Sequence, residues 1–180
     1  MGALPALGPI SEEQYLADPA FQHCEYVGGI VVERNGGGKP HSRIQANCCG
    51  FIWTYLRTNR IGYAVTELSC RLKVGGYSRF RLPDVAVVLG DESTEQRYLE
   101  RSPDLVVEVR SPDDSFTSQL RKMDDYFENG CRLAWLVLPE EQSVLILAPG
   151  AAPRTATAGE TLDGGDVLPG LSIAVDDLFA

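Results

Sequence analysis

The chain has 180 residues, of which 44% are hydrophobic and 23% are charged, and it is long enough to bury a substantial core. Its net charge of −9 argues against broad, charge-driven binding to nucleic acid, because such binding depends on the neutralisation of phosphates. No apolar run approaches the roughly 18 residues of a membrane span, so no membrane partner is expected. We therefore predict one domain over residues 1–180, with residues 1–10 as a flexible tail.

The cysteines are odd in number and lack metal-site spacing. None of the five forms a Cys-x-x-Cys pair, and the chain has only two histidines, so a zinc site is not expected. Reduced thiols are typical of a cytoplasmic protein. The first residues also lack the basic region and the long apolar segment of a secretory signal. These features predict a cytoplasmic location.

A short helix, a β-hairpin and a long helix are predicted in the first third of the chain. The helix runs from Ser11 to Asp18 and opens with a capping box. The hairpin runs from Glu25 to Arg34, with two glycines at its turn. In the long helix, from His41 to Arg57, His41 and Gln45 are four residues apart and therefore share a face.

Strands and polar connectors are predicted to follow. One strand begins at Gly62 and continues to Leu72, and a glycine turn separates it from a second strand, Arg81 to Leu89, which carries Asp84. The glycine-rich segment 35–40 is a predicted flexible connector. Residues 92–100 are polar and predict a loop or a short helix.

The central unit is a strand followed by a helix. The β-branched run Leu105–Val109 predicts a buried strand, although it contains Glu108, whose burial is costly without a cation or hydrogen-bond donors. Pro112 ends the strand, and Asp113, Asp114 or Ser115 can cap the next helix.

That helix is predicted to carry an apolar stripe beside a polar flank. The stripe consists of Phe116, Leu120, Met123 and Phe127. At about 100° per residue, Gln119, Lys122 and Tyr126 lie together on one flank. After it, Leu133–Leu138 and Ser143–Leu147 predict a second hairpin, and the remainder predicts short strands with an apolar C-terminal motif.

Two carboxylates on strands and a lysine on a helix are the ingredients of a metal-assisted phosphodiesterase site. Simpler interpretations stay open at this point. Asp84 or Glu108 could be an edge residue or could pair with a nearby arginine such as Arg79, Arg81 or Arg110. A lysine on a helix flank commonly just reaches solvent.

These residues resemble a known family. Pro83-Asp84, the segment Glu108-Val109-Arg110-Ser111-Pro112, Lys122 and Tyr126 are similar to motifs of the Uma-two family of predicted endonucleases, in the PD-(D/E)xK restriction-endonuclease-like superfamily. In the superfamily motif a lysine stands two residues after the acid, where this chain has Arg110. The resemblance implies that the lysine has moved to the following helix, which makes Lys122 the candidate.

The resemblance implies an α/β restriction-endonuclease-like core, with a mixed central sheet flanked by helices and an N-terminal β-hairpin. It implies a Mg²⁺-dependent endonuclease, with Mn²⁺ able to substitute, that cleaves DNA and forms a homodimer. The implied residues are catalytic Asp84, Glu108 and Lys122, metal-binding Asp84, Glu108 and the Val109 carbonyl, and supporting or phosphate-contacting His41, Gln45, Arg110, Gln119 and Tyr126. Two alternatives remain: a catalytically inactive binding or assembly module that kept the fold, and an enzyme acting on another phosphodiester.

Overall fold

The computed structural model describes residues 8–34, 37–90 and 97–180. Three predictions therefore lie partly outside the described residues: the tail at residues 1–7, the connector at residues 35–36 and the polar segment at residues 92–96. Ile10, which was predicted to lie in the tail, donates a backbone hydrogen bond to the Gly29 carbonyl oxygen at 2.8 Å. Among the described residues, no helix has the length and apolar character needed to cross a membrane.

The elements follow one another in an alternating α/β order. They are α1 (Glu12–Ala17), a 3₁₀ turn (Pro19–Phe21), β1 (Cys24–Val27), β2 (Ile30–Glu33), α2 (Gly38–Asn59), β3 (Gly62–Thr66), β4 (Cys70–Val74), β5 (Tyr77–Arg81), β6 (Val85–Leu89), β7 (Leu105–Val109), α3 (Phe116–Glu128), β8 (Leu133–Leu138), β9 (Ser143–Leu147), β10 (Arg154–Thr157), β11 (Thr161–Gly164), β12 (Leu168–Ala174) and α4 (Val175–Phe179).

A six-stranded mixed sheet with the order β10-β9-β8-β7-β6-β3 forms the centre. Strands β7 and β8 are parallel, and α3 supplies the crossover that a parallel pair requires. The other neighbouring pairs of this sheet are antiparallel. This arrangement confirms the predicted mixed sheet flanked by helices.

The two faces of the central sheet are covered by different helices. Alternate residues of a strand point to opposite faces. Val107 and Val109 therefore join the core formed with α2, whereas Val106 joins the core that contains Met123 of α3. Glu108 has the parity of Val106, so its side chain lies on the α3 side.

A second, four-stranded sheet has the order β2-β1-β5-β4. Helix α1 covers one face of it, where the rings of Tyr15, Tyr26 and Phe80 pack together. Glu25 and Arg81 neighbour these rings in sequence and therefore project to the opposite face, which looks toward α3.

Two predicted strands are each divided in the structure. The strand from Gly62 to Leu72 becomes β3 and β4, which belong to different sheets, and the chain turns at Glu67, whose φ of 55° lies in the left-handed region. The predicted start of the strand from Arg81 to Leu89 was also wrong. Arg81 ends β5, and Asp84 lies in the link to β6.

The apolar stripe of α3 was predicted correctly only in part, since Met123 and Phe127 join the core on the α3 face of the central sheet. Phe116 is 43% exposed, while Met123 is buried beside Gln119, Asp125 and Tyr126. The helix buries polar groups because partners meet them there. Arg79 and Arg81 of the second sheet pair with Asp125, and Glu108 accepts from Tyr126. Its N-cap is Ser115, whose side chain accepts from the Ser118 N–H.

Candidate active site

Asp84 lies between the two sheets and is almost fully buried. Its Oδ1 contacts Arg34 Nη2 at 2.5 Å, and its Oδ2 contacts His41 Nε2 at 3.2 Å and accepts from the Val109 N–H at 2.7 Å. Burial alone would raise the pKa of Asp84, but the hydrogen bond from His41, the nearby charges and the Val109 N–H outweigh it and lower the pKa. The carboxyl group is therefore held as an anion.

Glu108 lies on the neighbouring strand. Because Val85 pairs with Val107, Asp84 and Glu108 occupy the next opposed positions. Glu108 Oε1 accepts from the Tyr126 hydroxyl at 2.8 Å, and Oε2 contacts Lys122 Nζ at 2.9 Å. Burial raises the pKa of Glu108 to about 7, against the effect of Lys122, and the negative charges of Asp84 and Glu25 add to the rise.

Lys122 reaches across from α3 to two carboxylates. Its Nζ lies 2.9 Å from Glu108 Oε2 and 2.9 Å from Glu25 Oε1. Burial opposes the charge, but the two carboxylates outweigh burial and raise the pKa of Lys122. The ammonium therefore stays protonated at neutral pH. The sequence predicted convergence with Asp84 and Glu108, whereas the second close partner is Glu25.

A buried chain of ion pairs fixes Glu25, and sequence reasoning missed it. Arg81 Nη1 lies 2.6 Å from Glu25 Oε2, and Arg81 Nη2 lies 2.5 Å from Asp125 Oδ2, while Arg79 also pairs with Asp125. The Leu82 N–H donates to Glu25 Oε1 at 3.3 Å. The one available signal was the position of Glu25, Arg81 and Asp125 inside apolar patterns.

The remaining predicted site residues divide into two groups. His41 and Gln45 both contact Asp84. His41 Nε2 lies at its carboxylate, and Gln45 Nε2 donates to its backbone carbonyl oxygen at 2.9 Å. Gln119 instead donates to Asp114 Oδ2 at 2.9 Å and leaves a buried Oε1 without a protein partner. Arg110 extends to Glu141 at 3.4 Å. The structure therefore does not bring Arg110 to Asp84 and Glu108, since its side chain contacts Glu141 in the turn between β8 and β9.

A cleft of about 530 Å³ has Glu25, Asp84, Glu108 and Lys122 in its lining. Two depressions are larger, at about 690 and 870 Å³, but the first has one carboxylate, that of Glu67, in its lining and the second has none. The cleft lining contains five acidic and five basic side chains, so it is formally neutral in a chain of net charge −9. A phosphate therefore meets less repulsion here than the whole-chain charge suggests. The ten are Glu25, Glu33, Arg34, Arg79, Arg81, Asp84, Glu108, Asp114, Arg121 and Lys122.

The oxygen atoms of Asp84, Glu108 and Val109 are ligands of the kind that a hard divalent cation prefers. Among the described residues, no three His, Cys, Asp or Glu side chains form a metal-binding group. Mg²⁺ does not need such a group, because it is usually held by one or two carboxylates together with waters and substrate phosphates. Asp84 and Glu108 supply two carboxylates. Val109 adds a carbonyl that points to the same side as the N–H it donates to Asp84.

Comparisons with known proteins identify the family and the fold. A sequence model of the family Uma2, described as "Putative restriction endonuclease", matches residues 12–176. A crystal structure of "a putative nuclease belonging to DUF820" from Anabaena variabilis ATCC 29413 is 24% identical, with a TM-score of 0.82, and the match covers 95% of this chain and 98% of that chain. No curated protein matches the sequence. At this identity the structural likeness shows the fold, and the family description supports a nuclease-like function.

Proposed function

This chain belongs to the Uma2 family, and from that premise we propose that it is a metal-dependent endonuclease that hydrolyses phosphodiester bonds of DNA. The contact that carries the proposal is the 2.9 Å pair between Lys122 Nζ and Glu108 Oε2. It supplies, from a helix, the ammonium that the superfamily motif takes from the strand position occupied here by Arg110. Mg²⁺ is the proposed cofactor, with Mn²⁺ able to substitute, and Asp84, Glu108 and the Val109 carbonyl would hold it.

A bound divalent cation supplies an acidified water and a counter-charge for the scissile phosphate. The protein's part is positioning. The His41 side chain and the Val109 N–H hold the Asp84 carboxylate in one orientation, and the Tyr126 hydroxyl does the same for Glu108. These contacts fix the two carboxylates before substrate arrives.

Lys122 contributes charge and orientation. Its ammonium is held between Glu108 and Glu25, so it lies at the edge of the cleft without needing to move. Because its pKa is raised, it cannot accept a proton from the attacking water. It orients that water or stabilises the negative charge that develops on the phosphate.

The proposal is tested by cleavage of plasmid DNA with Mg²⁺ or Mn²⁺. Asp84→Asn and Lys122→Met should each lose activity by about 100-fold or more, as expected when one preorganised electrostatic group is removed. Lys73→Met is a matched control, because Lys73 is exposed and donates to Ser78 Oγ at 2.8 Å away from the cleft. Activity of Lys122→Met equal to that of Lys73→Met would remove Lys122 from the reaction.

One observation favours a second candidate, a nuclease-fold module without catalysis. Both oxygens of Asp84 and both oxygens of Glu108 already have protein partners. A wild-type protein that binds no Mn²⁺ in calorimetric titration and cleaves no nucleic acid would establish this alternative.

We also propose self-association as a homodimer, in which two active sites could serve the two strands of DNA. Sedimentation at micromolar concentration distinguishes a dimer from a monomer.

A further inference from the structure

Arg34 joins two carboxylates, of which that of Asp84 lines the cleft. Its Nη2 lies 2.5 Å from Asp84 Oδ1, and its Nη1 lies 3.1 Å from Glu67 Oε1. The Arg34 side chain is 19% exposed and the Glu67 side chain is 44% exposed, whereas that of Asp84 is 2% exposed. One guanidinium thus bridges a buried acid and an acid at the surface.

Glu67 is placed for this contact by its backbone. It stands between β3 and β4 with a φ of 55°, a conformation disfavoured for residues that carry a Cβ atom. Its N–H donates to the Pro83 carbonyl oxygen at 3.1 Å, which ties it to the residue before Asp84. The two anchors of Arg34 are therefore fixed relative to each other.

We propose that Arg34 is a further substrate-contacting residue, which neutralises Asp84 in the metal-free protein and binds the scissile phosphate once a divalent cation has taken its place. The inference rests on the proposed function. After release from Asp84, the pair with Glu67 keeps the guanidinium at the cleft.

A metal ion at Asp84 would release Arg34 from Asp84 but not from Glu67. A cation on Asp84 competes with any second cation for the same carboxylate oxygen. The guanidinium carries its donors on separate nitrogen atoms, so release of Nη2 from Asp84 leaves Nη1 on Glu67. The freed N–H groups match the geometry of phosphate oxygens. Arg34 lines the cleft together with Lys122, so both cations face the same space.

The first test measures Mn²⁺ binding by calorimetry in Arg34→Met and in the wild type. Removal of the competing charge should tighten binding by about tenfold, since an arginine beside an aspartate commonly changes its affinity for a proton by that factor or more. His41 and the Val109 N–H still contact Asp84 in the variant, so the fold should persist. Arg154→Met is the matched control, because Arg154 pairs with exposed Asp163 at 2.6 Å.

The second test measures cleavage and DNA binding in the same proteins. At saturating Mn²⁺, Arg34→Met should cleave DNA roughly 100-fold more slowly than the wild type. With Ca²⁺ in place of Mn²⁺, its DNA affinity should depend less steeply on salt, by about one phosphate contact. A merely structural role for Arg34 would not combine tighter metal binding with slower cleavage.

Glu67→Met separates the two anchors, because methionine has a similar volume but no oxygen that accepts from Arg34. Arg34 then keeps Asp84 alone, so Mn²⁺ should bind no more tightly than in the wild type, while cleavage should fall. Unchanged Mn²⁺ affinity in Arg34→Met, or tighter binding with unchanged cleavage, would overturn the inference and leave the proposed function standing. A wild type that neither binds Mn²⁺ nor cleaves DNA would overturn both.

Discussion

At the scale of single residues, Glu108 shows how a strand can tolerate a buried carboxylate. It has a hydrogen bond from Tyr126 and an ion pair with Lys122, yet burial and the neighbouring acids Asp84 and Glu25 still raise its pKa. The folded protein therefore binds a proton at Glu108 more tightly than the unfolded chain does. Ionisation of Glu108 therefore lowers the free energy of unfolding.

This destabilisation predicts a pH-dependent effect of Glu108→Gln. The pKa rises from 4.5 to about 7 on folding, so the contribution of Glu108 is fully present below pH 4.5 and is lost as the pH rises through about 7. The amide of the variant does not ionise and can still accept a hydrogen bond from Tyr126. The free energy of unfolding of the variant, relative to that of the wild type, should therefore be on the order of 1–3 kcal/mol higher at pH 8 than at pH 5. Urea unfolding at both pH values measures this difference, and a relative stability that is the same at pH 5 and pH 8 would refute this account of Glu108.

Sequence reasoning named Asp84, Glu108 and Lys122 and their partners His41, Gln45 and Tyr126, but it missed Arg34 and Glu25. Glu108 was conspicuous because a charge interrupts an apolar run. Arg34 and Glu25 stand in a hairpin whose placement beside the central sheet depends on strand order, and no local pattern encodes that order. Arg110 was misplaced for a related reason: it follows the end of β7, where its side chain turns to Glu141 on another loop.

At the scale of elements, the second sheet supports the candidate site through buried charge. Strands β1 and β5 present Glu25 and Arg81 to α3, where Lys122 and Asp125 receive them. Helix α3 therefore buries a polar face as well as Met123. Helical periodicity of apolar residues predicted the existence of α3, but it could not predict which face is buried, because the ion pairs join elements far apart in the chain.

Glu25→Gln tests this support. Loss of one member of a buried ion-pair chain should lower the free energy of unfolding at pH 7 by on the order of 3 kcal/mol. Burial opposes ionisation, but Lys122 and Arg81 outweigh it and lower the pKa of Glu25. Its stabilisation is therefore present above the ordinary pKa of 4.5 and is lost as the pH falls further.

The matched control is Glu13→Gln, since Glu13 is exposed on α1. Thermal or urea unfolding should show a large difference between the two variants at pH 7 and a smaller one in acid. Equal stability at pH 7 would mean that the chain of charges contributes nothing net.

At the scale of the whole molecule, the acidic chain keeps a neutral cleft. Net charge argued against broad, charge-driven binding to nucleic acid, yet it could not reveal that acidic and basic side chains are balanced in the lining of one cleft. The alternation of helices and strands could be predicted from sequence because the apolar strands and the β7-α3-β8 unit are strong local signals, whereas the mixed central sheet was implied by the family resemblance. The division into a six-stranded and a four-stranded sheet could not be predicted, because it depends on the turn at Glu67 and on the break between β5 and β6 at residues 82–84.

The most direct measurement of the central claim is a crystal structure of the wild-type protein soaked in Mn²⁺, with the metal located by its anomalous scattering. We expect Mn²⁺ between Asp84 and Glu108, within bonding distance of the Val109 carbonyl, with Lys122 still at Glu108 and Arg34 moved off Asp84. Asp84 and Glu108 that keep their present partners at millimolar Mn²⁺, with no anomalous peak between them, would contradict a metal-dependent site here.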